Sequence, residues 1–130
     1  AAGEGATFAV EENASGALCG CVGLGCEYAN RRAELGYWIG TPYWGRGYAT
    51  EAVRCVVAFG FGYFRLNRIY ARHFLSNPAS GRVLEKIGLN REGIRREHYF
   101  KPGHGFQDVA DYGILLREWA EVAHRHLSAE

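Results

Sequence analysis

The residues with the clearest chemical potential are Trp44-Gly45-Arg46-Gly47-Tyr48-Ala49-Thr50, where the extended, aromatic run ending at Gly40 gives way to a helical pattern. A strand that hands over to a helix leaves several backbone N–H groups without helical partners, and these amides together with the helix dipole favour negative charge. Glycines at 45 and 47 let the main chain approach a phosphate closely, Ala49 is small enough not to crowd it, and Arg46 offers a cation at the rim. The chemistry available is the cradling of a phosphate or pyrophosphate. On these residues alone an ordinary tight turn is an equal reading, since the stretch has neither the GxxxxGK[ST] of a P-loop nor the three glycines of a dinucleotide fingerprint.

Four cysteines stand at 19, 21, 26 and 55. Cys19 and Cys21 are two apart and so share one face of a strand, and with Cys26 they match no zinc spacing, which favours buried, reduced cysteines over a metal site. No metal is expected.

The elements that must position the bend follow from periodicity. Residues 6–10 and 17–25 read as a hairpin across "ENASG", and 33–40 alternates Glu34, Gly36 and Trp38 with Leu35, Tyr37 and Ile39. From 49 to about 64 the apolar residues Ala52, Val53, Val56, Val57, Phe59 and Phe64 give a helical stripe. Residues 68–75 read as a strand. Asn77, Pro78 and Gly88 punctuate a second helix at its N-cap, first turn and C′ stop, with Ala79, Val83 and Ile87 expected to face the core. Two antiparallel strands joined by "KPGHG" and a helical tail complete the order β-β-β-α-β-α-β-β, a mixed α/β domain.

Length and composition set the frame. At 130 residues, 48% of them apolar and 22% charged, the chain is expected to form one soluble domain. The net charge of +1 gives no pointer to nucleic acid or a membrane surface, and neither a membrane span nor a secretion signal is visible, so a cytoplasmic setting is expected. The absence of methionine suggests a processed or trimmed amino terminus.

Two separated segments, "AELGYWIGTPYWGRGYATEAV" and "NPASGRVLEKIGL", together resemble the GNAT superfamily of acetyl-CoA-dependent N-acetyltransferases. The likeness is greatest to the branch of ribosomal-protein N-terminal acetyltransferases of the RimJ/RimL type, and it runs from about residue 6 to 117. The general loop pattern [Q/R]-x-x-G-x-[G/A] appears as Trp44 through Ala49, with Trp in place of the first Gln or Arg, as in the W-G-x-G-x-A form of that branch. The resemblance implies a mostly antiparallel GNAT-like sheet, acetyl-CoA as co-substrate and an amine acceptor, either a protein N-terminus or a small molecule. It also allows a homodimer. Members of that branch usually carry a first strand and two helices before the segment that begins here, so residues 1–130 are expected to form a single GNAT-like domain lacking those elements.

By the same resemblance, the backbone from Gly45 to Thr50 holds the coenzyme pyrophosphate. The main chain of Trp38, Ile39 and Gly40 pairs with the pantetheine arm, and one of its N–H groups serves the developing oxyanion. Asn77 is both an N-cap candidate and a pantetheine contact. Many family members place a Tyr acid where this chain has Glu85; Ser80 matches a serine near the sulfur and is the candidate to protonate the thiolate, a local cap being its other reading. For the base, the branch's Glu position falls on Tyr99, with Glu97 expected on the same face. Glu34 is the other candidate, or else a solvated partner of Arg31 or Arg32. His73 and Asp108 are candidates for the acceptor side, with a structural hydrogen bond an equal reading for Asp108. Lys86 and Arg82 either reach coenzyme phosphates or are merely solvated. The alternatives to an amine acetyltransferase are a non-catalytic acyl-CoA-binding domain and a small protein-interaction module.

Overall fold

A computed structural model describes residues 4–129, with side chains described for 5–123. The fold is mixed α+β; the described residues form six strands and three α-helices in the order β1(Glu4–Glu11) β2(Leu18–Glu27) β3(Arg32–Ile39) α1(Tyr48–Gly62) β4(Arg68–Phe74) α2(Pro78–Ile87) β5(Asn90–Lys101) β6(Gly105–Leu115) α3(Leu116–Ala129). Two compact units are distinguished, Ala1–Ile69 and Tyr70–Glu130.

In the first unit β1, β2 and β3 form an antiparallel meander, with Phe8 opposite Val22 and Val22 opposite Tyr37. Period-two alternation sends Val22, Leu24, Cys26, Ala33 and Leu35 to the buried side. Helix α1 turns Val53, Val56, Val57, Gly60 and Phe61 inward. The stripe is thus rotated from the expected one: Phe61 is in the core and Phe59 is 36% exposed. The glycine at position 60 has a packing reason, because a Cβ there would lie 2.9 Å from Leu24 Cδ1 and 3.0 Å from Ile69 Cδ1. The four cysteines are free thiols, but only Cys19 and Cys26 are buried; Cys21 is half-buried and Cys55 exposed, because α1 turns position 55 away from the sheet.

In the second unit β5 and β6 form a long antiparallel hairpin whose two register shifts lie between Arg91 and Gly93 and between Arg95 and Tyr99. At the second, residues 96–98 stand against Asp108 alone, Glu97 adopts φ 49°, and its N–H donates to Asp108 Oδ1 at 2.7 Å. Asp108 therefore caps a bulge, the structural reading of that residue. Helix α2 buries Gly81, Leu84 and Ile87. Ala79 is exposed and Val83 half-buried, so the expected 79/83/87 stripe is corrected: hydrophobicity patterns ignore glycine, and Gly81 is the residue laid against the imidazole of His73.

Candidate functional site

The bend between β3 and α1 is held at both ends by side chains. A 3₁₀ turn over Thr41–Tyr43, started by Pro42, closes with Tyr43 N–H to Gly40 C=O (2.9 Å) and Trp44 N–H to Thr41 C=O (3.2 Å). The Trp44 indole N–H then reaches back to the Ile39 carbonyl at 2.7 Å. The Trp44 side chain thereby pins the bend to the end of its strand.

Gly45 and Gly47 follow at φ 77° and 76°, left-handed values that glycine alone adopts without strain. Gly47 is the N-cap of α1 and supplies no side-chain cap; the first helical bond is Glu51 N–H to Gly47 C=O at 3.0 Å. Among the described residues, none accepts a hydrogen bond from the amide of Gly45, Arg46, Gly47, Tyr48, Ala49 or Thr50. A Cβ built on either glycine meets nothing within 4 Å. The result is a run of unpartnered donors at the positive end of a fifteen-residue helix, bordered by open space at the two glycines.

Arg46 does not stand free at the rim. Its Nη1 donates to Glu12 Oε2 at 3.0 Å, and the same oxygen accepts from Tyr48 Oη at 2.6 Å. Glu12 Oε1 accepts from Ser15 Oγ at 2.8 Å. These bonds, Tyr48's first, then Ser15's, outweigh burial and, with the Arg46 charge, hold the Glu12 carboxyl below its ordinary value; the same bond raises the Tyr48 phenol. No sequence signal marks this link, because it joins a hairpin turn to a loop 34 and 36 residues away.

On β3, the Gly40 N–H donates to Cys19 C=O at 2.7 Å, and its carbonyl already accepts from Tyr43. Antiparallel alternation then bonds Trp38 to Cys21 and turns the Ile39 N–H away from β2. Of the three residues expected to pair with a pantetheine arm, Ile39 is the one whose amide has that outward direction. Glu34, Gly36 and Trp38 occupy one exposed face, as the alternation predicts. That face carries a trough of about 410 Å³ floored by Gly23, Gly25 and Gly36. Arg31 donates to the Arg65 carbonyl and Arg32 to Glu27. On the far side of the meander, a cleft of about 650 Å³ is lined by Val10, Glu12, Val22, Tyr48, Cys55 and Phe59 among others.

In the second unit Asn77 is the N-cap of α2, but its side chain makes no capping bond. Its carbonyl accepts from the N–H of Ser80 at 3.3 Å. Ser80 is half-buried in the first turn, and Arg82 and Lys86 are exposed. Glu85 accepts from Tyr112 Oη at 3.0 Å; burial first, and then this bond, raises the Tyr112 phenol. His73 donates from Nδ1 to the Phe74 carbonyl at 2.8 Å if that nitrogen carries the proton, and its buried Nε2 has no partner. Tyr99 is 44% exposed, edge-on to Phe74 at 6.0 Å. The bulge at Glu97 interrupts the regular pleat between it and Tyr99.

An acetyltransferase (GNAT) domain family matches residues 1–90. Over 112 residues the chain is 36% identical to the uncharacterized N-acetyltransferase YoaA of Bacillus subtilis (strain 168), covering 85% of this chain and 63% of that protein. Over 105 residues it is 36% identical to YdaF of the same strain, provisionally named a ribosomal N-acetyltransferase, covering 80% and 57%. Among solved structures it is similar to the spermidine N-acetyltransferase from Vibrio cholerae in complex with CoA and spermine. That match has a TM-score of 0.81 and 29% identity, covering 88% of this chain and 67% of that one. The chain spans about three-fifths of the length of the two Bacillus relatives.

Proposed function

Because the chain belongs to the acetyltransferase (GNAT) family, we propose that it transfers an acetyl group from acetyl-CoA to a primary amine by direct attack of the amine on the thioester. The observation that carries this reading is the run of unpartnered amides from Gly45 to Thr50 at the start of α1, opened by two glycines at positive φ. Such a run suits a pyrophosphate in both charge and shape. Acetyl-CoA would supply the activated acetyl group. The acceptor is a protein N-terminal α-amine or a small-molecule amine, in keeping with the names of the two groups of relatives.

The residues divide the work as follows. The Ile39 N–H is the donor for negative charge developing on the acetyl oxygen. Ser80 protonates or stabilises the leaving thiolate, and Asn77, whose amide is not spent on capping, contacts the pantetheine arm. Glu34, beside the glycine-floored trough, takes the proton from the amine; Tyr99 is the other candidate. The demand on this base is small for an α-amine, whose pKa is about 7.7–8.0, and larger for a lysine amine near about 10.4.

A non-catalytic coenzyme-binding domain is the second reading. It is favoured by Glu85, which stands where many family members have an acid tyrosine and is bonded to Tyr112. Two assays decide. Coenzyme A should raise the melting temperature of the protein, since a ligand that binds only the folded state must stabilise it. Thiol release from acetyl-CoA should then depend on an added amine, with α-amines and polyamines tested side by side. No thermal shift rejects coenzyme binding, and a shift without amine-dependent thiol release leaves the second reading standing.

A further inference from the structure

We infer that Glu12 is a positioning residue for the coenzyme-binding bend, its carboxylate splinting Arg46 and Tyr48 to the β1–β2 turn so that the amides of Gly45–Thr50 are held open before any ligand arrives. The inference rests on the acetyl-CoA reading above.

Glu12 is itself well fixed. Its N–H donates to Ala17 C=O (2.9 Å), its C=O accepts from Gly16 N–H (2.7 Å), and Ser15 Oγ holds Oε1 at 2.8 Å. Oε2 is left to take both Arg46 and Tyr48. The Glu12 side chain is only 19% exposed although its partner Arg46 is 52% exposed. Arg46 also lies over the Tyr43 ring at 5.8 Å, and the Tyr43 and Tyr48 rings are 6.3 Å apart. One carboxylate thus ties together two of the residues that frame the bend, and Tyr43 lies against both of them. Every donor to it is a side chain, so the carboxylate occupies the flank of the bend and none of its main-chain amides is consumed.

This arrangement has an electrostatic consequence. With Arg46 neutralised by Glu12, the attraction for a phosphate comes mainly from amide dipoles, whose strength depends on their being aligned. Two glycines one residue apart, Gly45 and Gly47, make the bend soft, and fixing a soft segment in its bound shape raises affinity by removing the cost of ordering it. The role is therefore one of alignment, felt in coenzyme affinity and not in the chemical step.

The test compares the wild type with Glu12→Ala and the milder Glu12→Gln, using acetyl-CoA and S-acetylpantetheine as donors. The latter carries the thioester but no pyrophosphate. For Glu12→Ala, KM for acetyl-CoA and Kd for coenzyme A are expected to rise about 5- to 20-fold, with kcat at saturating donor within about 2-fold of wild type. KM for S-acetylpantetheine should stay unchanged, which a general loss of folding would not allow. In an Arg46→Ala/Tyr48→Phe background, Glu12→Ala should cost less than about 2-fold more, because its partners are already gone. Glu12→Gln should fall between wild type and Glu12→Ala, and it carries the comparison should Glu12→Ala fail to fold. Equal rises in KM for both donors, an unchanged Kd for coenzyme A, or tighter binding by the variants would each overturn the role of Glu12. Failure of the wild type itself to bind coenzyme A would instead overturn the proposed function.

Discussion

Replacing Gly47 by alanine separates what the bend costs the fold from what it gives a ligand. Gly47 sits at φ 76° and ψ 7° as the N-cap of α1, and a Cβ there has no protein atom within 4 Å. The substitution therefore causes no clash, and its penalty is the left-handed backbone of a non-glycine residue, about 1–2 kcal/mol. In a chain of this size that lowers the melting temperature by roughly 3–10 °C. Gly103, at φ 82° in the β5–β6 turn and likewise with nothing within 4 Å, is the matched control with the same backbone penalty. The two variants should thus lose similar stability in thermal unfolding. They should differ sharply toward coenzyme A, because at position 47 the added methyl enters the open side of the amide run. Gly47→Ala is expected to bind at least about tenfold more weakly than wild type, a difference of about 1.4 kcal/mol, and Gly103→Ala to bind as wild type does. Isothermal titration of both variants reads this directly. Equal affinities would refute the assignment of the bend as the phosphate site, and an undiminished melting temperature in either variant would refute the backbone argument.

Other perturbations test other parts. Ser80→Ala should lower kcat for acetyl transfer by about 10²-fold or more, with little change in coenzyme Kd, and the deficit should shrink for a donor whose thiol is more acidic; unchanged turnover would remove Ser80 from the chemistry. Trp44→Phe deletes the indole bond to the Ile39 carbonyl, and should cost about 1 kcal/mol in urea unfolding and raise KM for acetyl-CoA. Gly81→Ala would place a Cβ 2.7 Å from His73 Nε2 and 3.2 Å from Tyr112 Oη; despite the better helix propensity of alanine it should destabilise by about 1–2 kcal/mol, measured by chemical denaturation. Burial raises the pKa of Asp111, but its hydrogen bonds to Arg95 and Arg72 outweigh this and leave it below the ordinary 3.8. Its contribution is therefore complete above that value and is lost as pH falls through the lower, folded-state value. Asp111→Asn should cost about 1 kcal/mol or less at pH 7, and the gap to wild type should close below about pH 4 in acid titrations followed by circular dichroism.

The parts of the site that sequence could show are those whose cause is local. Gly45 and Gly47 between a strand and a helix announce positive φ and unpartnered amides, and Asn77-Pro78 with Gly88 brackets a helix, because each of these residues restricts or frees its own backbone. What sequence could not show depends on residues meeting at a distance. Glu12 reads as one polar residue of a hairpin turn until the fold brings Arg46 and Tyr48 to it. Gly81 and Gly60 carry no hydrophobic signal, yet both are core positions where a neighbour's side chain takes the space of the missing methyl. The bulge at Glu97 is concealed by alternation that looks regular, since its left-handed residue is not a glycine and is supported by Asp108 from the neighbouring strand.

Gly60 also bears on the bend at the opposite end of its helix. Thirteen residues separate it from Gly47, about 20 Å along a stiff rod at 1.5 Å per residue. A methyl at position 60 would have to push Leu24 and Ile69 from 2.9 and 3.0 Å out to ordinary contact, or lift that end of the rod from the sheet. If the rod tips rather than the neighbours yielding, its other end swings, and the donors at its tip lose their aim without any change in their own residues. A single hydrogen atom, deep in the packing, thereby helps to set the angle at which the helix offers its charge.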